Sequence, residues 1–171
     1  MKQLDPDDSV ACNGELLWHW RTMLSGLSQQ DAAEQLDNST TTIGKVERGK
    51  ARVRLETAKK LAQGADLQLS EFVMGADATP TGVHPDYVRA GKAKGNQIRM
   101  LRRQRGYYTQ TDAAEQADVS AQVWSRAESS KRIRWSNLGT IADVLQVPIP
   151  KIAEPAKKEG PILRDTKGRR L

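Results

Sequence analysis

Imidazole and thiol chemistry in this chain is confined to His19, His84 and Cys12. The histidines stand far apart, and neither has the neighbours that a metal site or a Ser/His/Asp arrangement requires. A lone cysteine excludes an intramolecular disulfide and a thiolate cluster. The stretch RAGKAKG does not have the spacing of a loop that cradles phosphates. We therefore expect no enzyme activity, no metal and no cofactor. What remains is the chemistry of cations and hydrogen-bond donors. Lys50, Arg52 and Arg54 form one basic group, and Lys131, Arg132 and Arg134 form a second in matching register. Such groups pair with phosphate oxygens, although a run of charge is also an ordinary solvated face.

The elements that must position these groups are written twice. DAAEQ occurs at 31–35 and again at 112–116, and the flanking residues match in class at an offset of 81. Leu17 falls on Ile98, Trp20 on Leu101, Arg21 on Arg102, Gln29 on Gln110, Ile43 on Trp124 and Glu47 on Glu128. One extra residue near 51–54 lowers the later offset to 80, which sets Leu55 on Trp135, Leu61 on Ile141 and Leu69 on Ile149. Two copies are too few for a solenoid, so this is a duplicated domain. Leu16, Leu17, Trp20, Met23 and Leu24 keep the spacing of one buried helix face. Ser28 and Thr109 begin a two-turn second helix with Asp three residues on, and Ser39 and Ser120 cap a third. Fourth helices are predicted at 55–63 and 136–145, and short fifth helices at 69–73 and 149–153. Strand signals are weak. The predicted fold is all-α, with two tandem five-helix units. Ala33 and Ala114 fall where the second helix crosses the third, and DAAEQ opens a helix-turn-helix.

SQQDAAEQLDNSTTTIGKVERGK and TQTDAAEQADVSAQVWSRAESSK resemble the lambda-repressor-like (Cro/cI, XRE-type) helix-turn-helix family. They follow its order of Ser/Thr-Gln, a buried Ala, a turn, a Ser cap, an Ile and a Glu before a basic loop, with ESSK in place of ERGK in the second copy. Two departures stand out. Asp37 and Asp118 occupy the turn position where the family has Gly, and the first helix is one residue longer in both copies. The resemblance implies double-stranded DNA as partner, with the third helix in the major groove. Carried over by position, the base readers are Thr40, Thr41 and Lys45 in the first copy, and Ala121, Gln122, Ser125 and Arg126 in the second. Gln suits adenine and Arg suits guanine, while Gly44 permits close approach. Phosphate contacts are expected from Gln29, Ser39, Arg48, Lys50, Arg52 and Arg54, and from Gln110, Ser120, Lys131, Arg132 and Arg134. Glu47 and Glu128 are implied to pair structurally with Arg21 and Arg102. Trp124 and Trp135 read as core, whereas Trp18 and His19 stay open.

The organisation that follows is a first domain at 9–74, a linker at 75–94 with a candidate helix after Pro85, a second domain at 95–154, and a basic, disordered tail at 155–171. Net charge is +6 over 171 residues, with none in the first copy and most in the second copy and tail. A basic balance suits a polyanion, though this value alone is weak evidence. Fully extended, the linker could reach roughly 65 Å, enough for one chain to occupy two half-sites as a monomeric pseudo-dimer; a homodimer is also open. No apolar run approaches the ~18 residues of a membrane span, and a cytoplasmic, nucleoid-associated protein is expected. The favoured reading is a transcriptional regulator with two unequal half-sites. Repression by occupancy is preferred to activation, for which Asp31 and Glu34 would have to face polymerase. The alternative is a protein-interaction adaptor, an antitoxin or anti-activator, that docks a partner on one helix-turn-helix; RNA polymerase, a toxin or an activator would be that protein partner.

Overall fold

The computed structural model describes residues 4–75, 77–83, 88 and 90–155. The first unit comprises β1 (Ser9–Val10), α1 (Gly14–His19), α2 (Gln29–Gln35), α3 (Thr40–Glu47), β2 (Val53–Arg54), α4 (Leu55–Gly64) and α5 (Leu69–Phe72). The second comprises β3 (Ala90–Ala93), α6 (Gly95–Gln104), α7 (Gln110–Ala117), α8 (Ala121–Glu128), β4 (Arg132–Arg134), α9 (Trp135–Leu145), a 3₁₀ turn (Ile149–Lys151) and β5 (Ala153–Glu154). The architecture is mainly helical, with two helix-turn-helix units and a few small strands.

α1 continues into a π turn over Trp20–Leu24, closed by the Ser25 N–H donating to Trp20 O at 3.0 Å. This wider turn absorbs the additional residue seen in the sequence, as π-bulges do. It also rotates the last residue out of register, so Leu24, expected on the buried face, is 66% exposed. In the second unit α6 stays α-helical to Gln104, and the chain turns at Gly106 with φ 86°. The expected fifth helix at 149–153 is a 3₁₀ turn followed by a strand, because Pro148 and Pro150 remove backbone donors there.

The strands are duplicated as well, with no identity of sequence to announce them. Ser9 and Val10 pair antiparallel with Arg54 and Val53, and Ala90 and Gly91 pair in the same way with Arg134 and Ile133. The bridge between Cys12 and Val73 matches that between Ala93 and Ala153. Ala90–Ala93, inside the stretch expected to be a linker with a helix, is thus the central strand of the order β4-β3-β5. Apart from Val88, the rest of that candidate helix lies outside the described residues, as does the basic tail after Pro155.

The extended spacer is not used. The Gly14 N–H donates to Thr81 O at 2.8 Å, and the Val83 N–H donates to Glu47 O at 2.7 Å, so the linker lies against the first unit. Trp18 and Met23 leave the first unit's core and join the second's. The Trp18 ring meets Trp135 edge-on, with centroids 5.6 Å apart and planes at 84°. Beside them Gly26 and Gly139 touch backbone to backbone: a Cβ on Gly139 would lie 2.8 Å from the Gly26 Cα. Trp18, left open from sequence, is a seam residue, while His19 is exposed.

Candidate nucleic-acid interface

Each third helix starts on a serine cap. Ser39 Oγ accepts from the Thr42 N–H and Ser120 Oγ from the Val123 N–H, both at 3.1 Å. Ser28 Oγ and Thr109 Oγ1 cap the second helices in the same way, accepting from Asp31 and Asp112 at 3.1 Å. The connecting turns pass through Asp37 and Asp118 at φ 50° and 54°. The residues standing where the family has Gly do adopt its left-handed conformation, which Asp tolerates better than most. The inner face is sealed by Ile43 and Val46 in α3 and by Trp124 and Ala127 in α8.

Behind each third helix lies a buried polar arrangement. Glu47 accepts from Arg21 Nε, and from Arg21 Nη2 at 3.0 Å. Arg102 Nε donates to Glu128 in the same way. Both arginines and both glutamates are buried, so the implied structural pairs are present. Each pair carries a third member that the sequence did not reveal: Gln29 Nε2 donates to Glu47 Oε2 at 3.1 Å, and Gln110 donates to Glu128. The signal was available, since both glutamines precede their glutamate by the same interval. The expected phosphate ligands Gln29 and Gln110 thus have one amide hydrogen committed inward, which leaves the other for an outside acceptor.

The second unit adds two more partners to this carboxylate. Trp124, standing where the first unit has Ile43, must place its indole N–H, and it donates to Glu128 at 3.2 Å. Arg99 approaches Glu128 Oε2 at 3.8 Å. Burial alone would favour the neutral acid of Glu128. Hydrogen bonds from Arg102, Gln110 and Trp124, with the Arg102 charge, outweigh it and hold the carboxyl below its ordinary range.

The outward faces differ between the copies. Thr40, Thr41 and Lys45 are exposed on α3, and Ala121, Gln122, Ser125 and Arg126 are exposed on α8. Gly44, between Thr41 and Lys45 in sequence, is buried beneath the Gln29 and Arg48 side chains, and a Cβ there would make ordinary contacts with them at 3.4 and 3.7 Å. Lys50, Lys131, Arg132 and Arg134 are also exposed. Three of the cations expected at phosphate in the first unit, Arg48, Arg52 and Arg54, have intramolecular partners. Arg48 Nε donates to Gly44 O at 3.0 Å, and Arg54 lies 3.7 Å from Asp7. Arg52 donates to Ser9 O and to Ala78 O, each at 3.0 Å. Arg52, which also donates from Nε to Ser9 Oγ at 3.3 Å, thereby ties β1 and the linker to the loop after α3, a role hidden from sequence because its acceptors are distant in the chain.

Two units with this helical order, each presenting a capped third helix over a buried Arg–Glu pair, define a tandem helix-turn-helix DNA-binding protein. A helix-turn-helix family model matches residues 20–72, and a helix-turn-helix domain model matches 95–154. The chain belongs to the XRE, Cro/cI type of helix-turn-helix proteins, whose members bind double-stranded DNA and regulate transcription. Curated proteins and solved structures gave no match. No helix among the described residues is long and apolar enough to cross a membrane, and no described group of His, Cys, Asp and Glu could hold a metal ion.

Proposed function

We propose that the chain is a sequence-specific regulator that acts by binding alone, without catalysis, and represses transcription by occupying its operator. α3 and α8 would each enter a major groove and read a different half-site. The observation that carries this reading is the contrast between the two sides of these helices. Their inner sides rest on the same Arg–Glu–Gln arrangement, while their outer sides present Thr40, Thr41 and Lys45 in one copy and Gln122, Ser125 and Arg126 in the other. A shared scaffold beneath different polar surfaces suits two readers of different sequence. Lys131, Arg132 and Arg134 would add salt-sensitive phosphate contacts that position the second unit.

The test is selection from a random duplex pool with the full chain at about 150 mM salt, where non-specific phosphate binding is weakened. Two different motifs at fixed spacing are the expected result. Enrichment of neither would overturn the regulator reading. One observation favours the adaptor as a second reading, the balanced charge of the first unit, whose eight acidic residues offset its eight basic ones over 13–73. Lys45→Glu and Arg126→Glu separate the two: if only Arg126→Glu weakens binding, the first unit is left for a protein partner.

A further inference from the structure

The seam between the units is not symmetric. The first unit contributes the end of its first helix, through Trp18, Met23 and Gly26, and the second contributes α9 and the 3₁₀ turn, through Trp135, Gly139 and Ile149. In a two-fold arrangement the equivalent patches would meet a second time. They cannot. Trp18, Met23 and Gly26 correspond to Arg99, Gln104 and Tyr107, of which Arg99 and Gln104 are exposed. Gly139 and Ile149 correspond to Lys59 and Leu69, both also exposed.

The seam also joins the surfaces that would face nucleic acid. Ser28 and Gln29, at the start of α2, share a cleft of about 300 Å³ with Arg134 and Ser136, at the start of α9. Gln29 and Arg134 are the phosphate-facing groups expected from each unit, so the two surfaces are continuous.

Resting on the proposed function, we infer that the two units form one rigid head-to-tail reader whose operator holds two half-sites in the same orientation, not inverted. Inverted half-sites relate their readers by a two-fold axis, and two similar units in contact across such an axis must bury the same patch twice. This contact buries two different patches once each. A head-to-tail contact can in principle propagate into a filament. Here it stops at two, because Lys59 would bring an ammonium group to the place of Gly139 and Tyr107 would fill the gap left by Gly26.

The test gives both units the same reading residues. Thr40→Ala, Thr41→Gln, Gly44→Ser and Lys45→Arg copy the second unit's surface onto α3, and circular dichroism melting checks that the variant is folded. Selection with this full-length variant should return one motif twice, in the same orientation and at one spacing. Inverted copies would overturn the inference, as would repeats at several spacings. A single unrepeated motif would also overturn it while leaving sequence-specific binding intact. Failure of the wild-type chain to enrich any sequence would instead remove the functional reading itself. A second variant, Gly139→Leu, forces the seam apart. It should keep binding to isolated half-sites but lose about tenfold for the composite site, because the linker still joins the units while the seam no longer fixes them. Unchanged composite affinity would overturn rigidity.

Discussion

Replacing Glu47 with glutamine would remove one charge and leave the rest of its surroundings in place. Arg21 is 2% exposed and Glu47 wholly buried, so the guanidinium cannot turn to water when its partner is neutralised. It would keep carbonyl acceptors at Leu27 and Val88. However, the new amide nitrogen would face donors, since the two Glu47 oxygens now accept from Arg21 and Gln29. Removing one member of a desolvated pair costs about 3–5 kcal/mol. A unit of some 65 residues has on the order of 3–10 kcal/mol in total, so Glu47→Gln should largely unfold the first unit while the second persists in a weakened form, without Trp18 and Met23 to cover its core. Urea unfolding of the full chain, followed by far-UV circular dichroism and tryptophan fluorescence, would show this as an early partial transition. The double variant Arg21→Met with Glu47→Leu should recover most of the loss, because apolar replacement of a buried pair is close to neutral. A shift below ~1 kcal/mol for Glu47→Gln, the size of an exposed pair, would refute the reasoning.

Three further outcomes are expected. Gly44→Ala should stabilise the chain by up to ~1 kcal/mol through helix propensity, since the added methyl meets only ordinary contacts. If α3 needs glycine for close approach to a duplex, the same variant binds DNA more weakly; equal binding in a gel-shift titration would count against that use of Gly44. Burial pushes the Cys12 thiol to about 11 despite the nearby charge of Arg52, so iodoacetamide at pH 8 should label it only in denaturant. Rapid labelling of the native chain would contradict its place in the core. Glu128 has a depressed folded-state pKa. Its contribution is therefore complete above the unfolded carboxyl value, ~4.3, and is lost as pH falls toward the folded one. Glu128→Gln should be less stable at neutral pH and should flatten the acid limb of the second unit's stability curve, which a pH series of urea melts would reveal.

Much of each unit was legible in the chain itself because its determinants are local. Ser28, Ser39, Thr109 and Ser120 cap the helices they precede through their own side chains. The aligned apolar positions Leu17, Ile43, Leu55 and Leu61, and their counterparts Ile98, Trp124, Trp135 and Ile141, are all buried, whereas Leu69 is exposed. Duplication strengthened these readings, since a position that repeats its residue class after 81 residues carries two independent observations. The Arg–Glu pairs came from family resemblance and not from spacing.

What the linear order could not decide depends on partners far away in the chain. β3 has no strand signature: Gly91 is there because the Trp135 ring lies against it, and a Cβ added there would fall 2.5 Å from that ring. The π turn of Trp20–Leu24 moved Leu24 outward, although its spacing placed it inside. Trp18 reads as a surplus aromatic beside Trp20 until the second unit is brought up to cover it. The linker's composition allowed an extended spacer, and hydrogen bonds from Gly14 and Val83 folded it down instead. The sequence by itself therefore determined that there are two helix-turn-helix units and which faces of their helices turn inward, because period and capping act within a few residues. Only the tertiary structure decided how the units stand to one another, because Gly26, Trp18, Trp135 and Gly139 have meaning only where their surfaces meet.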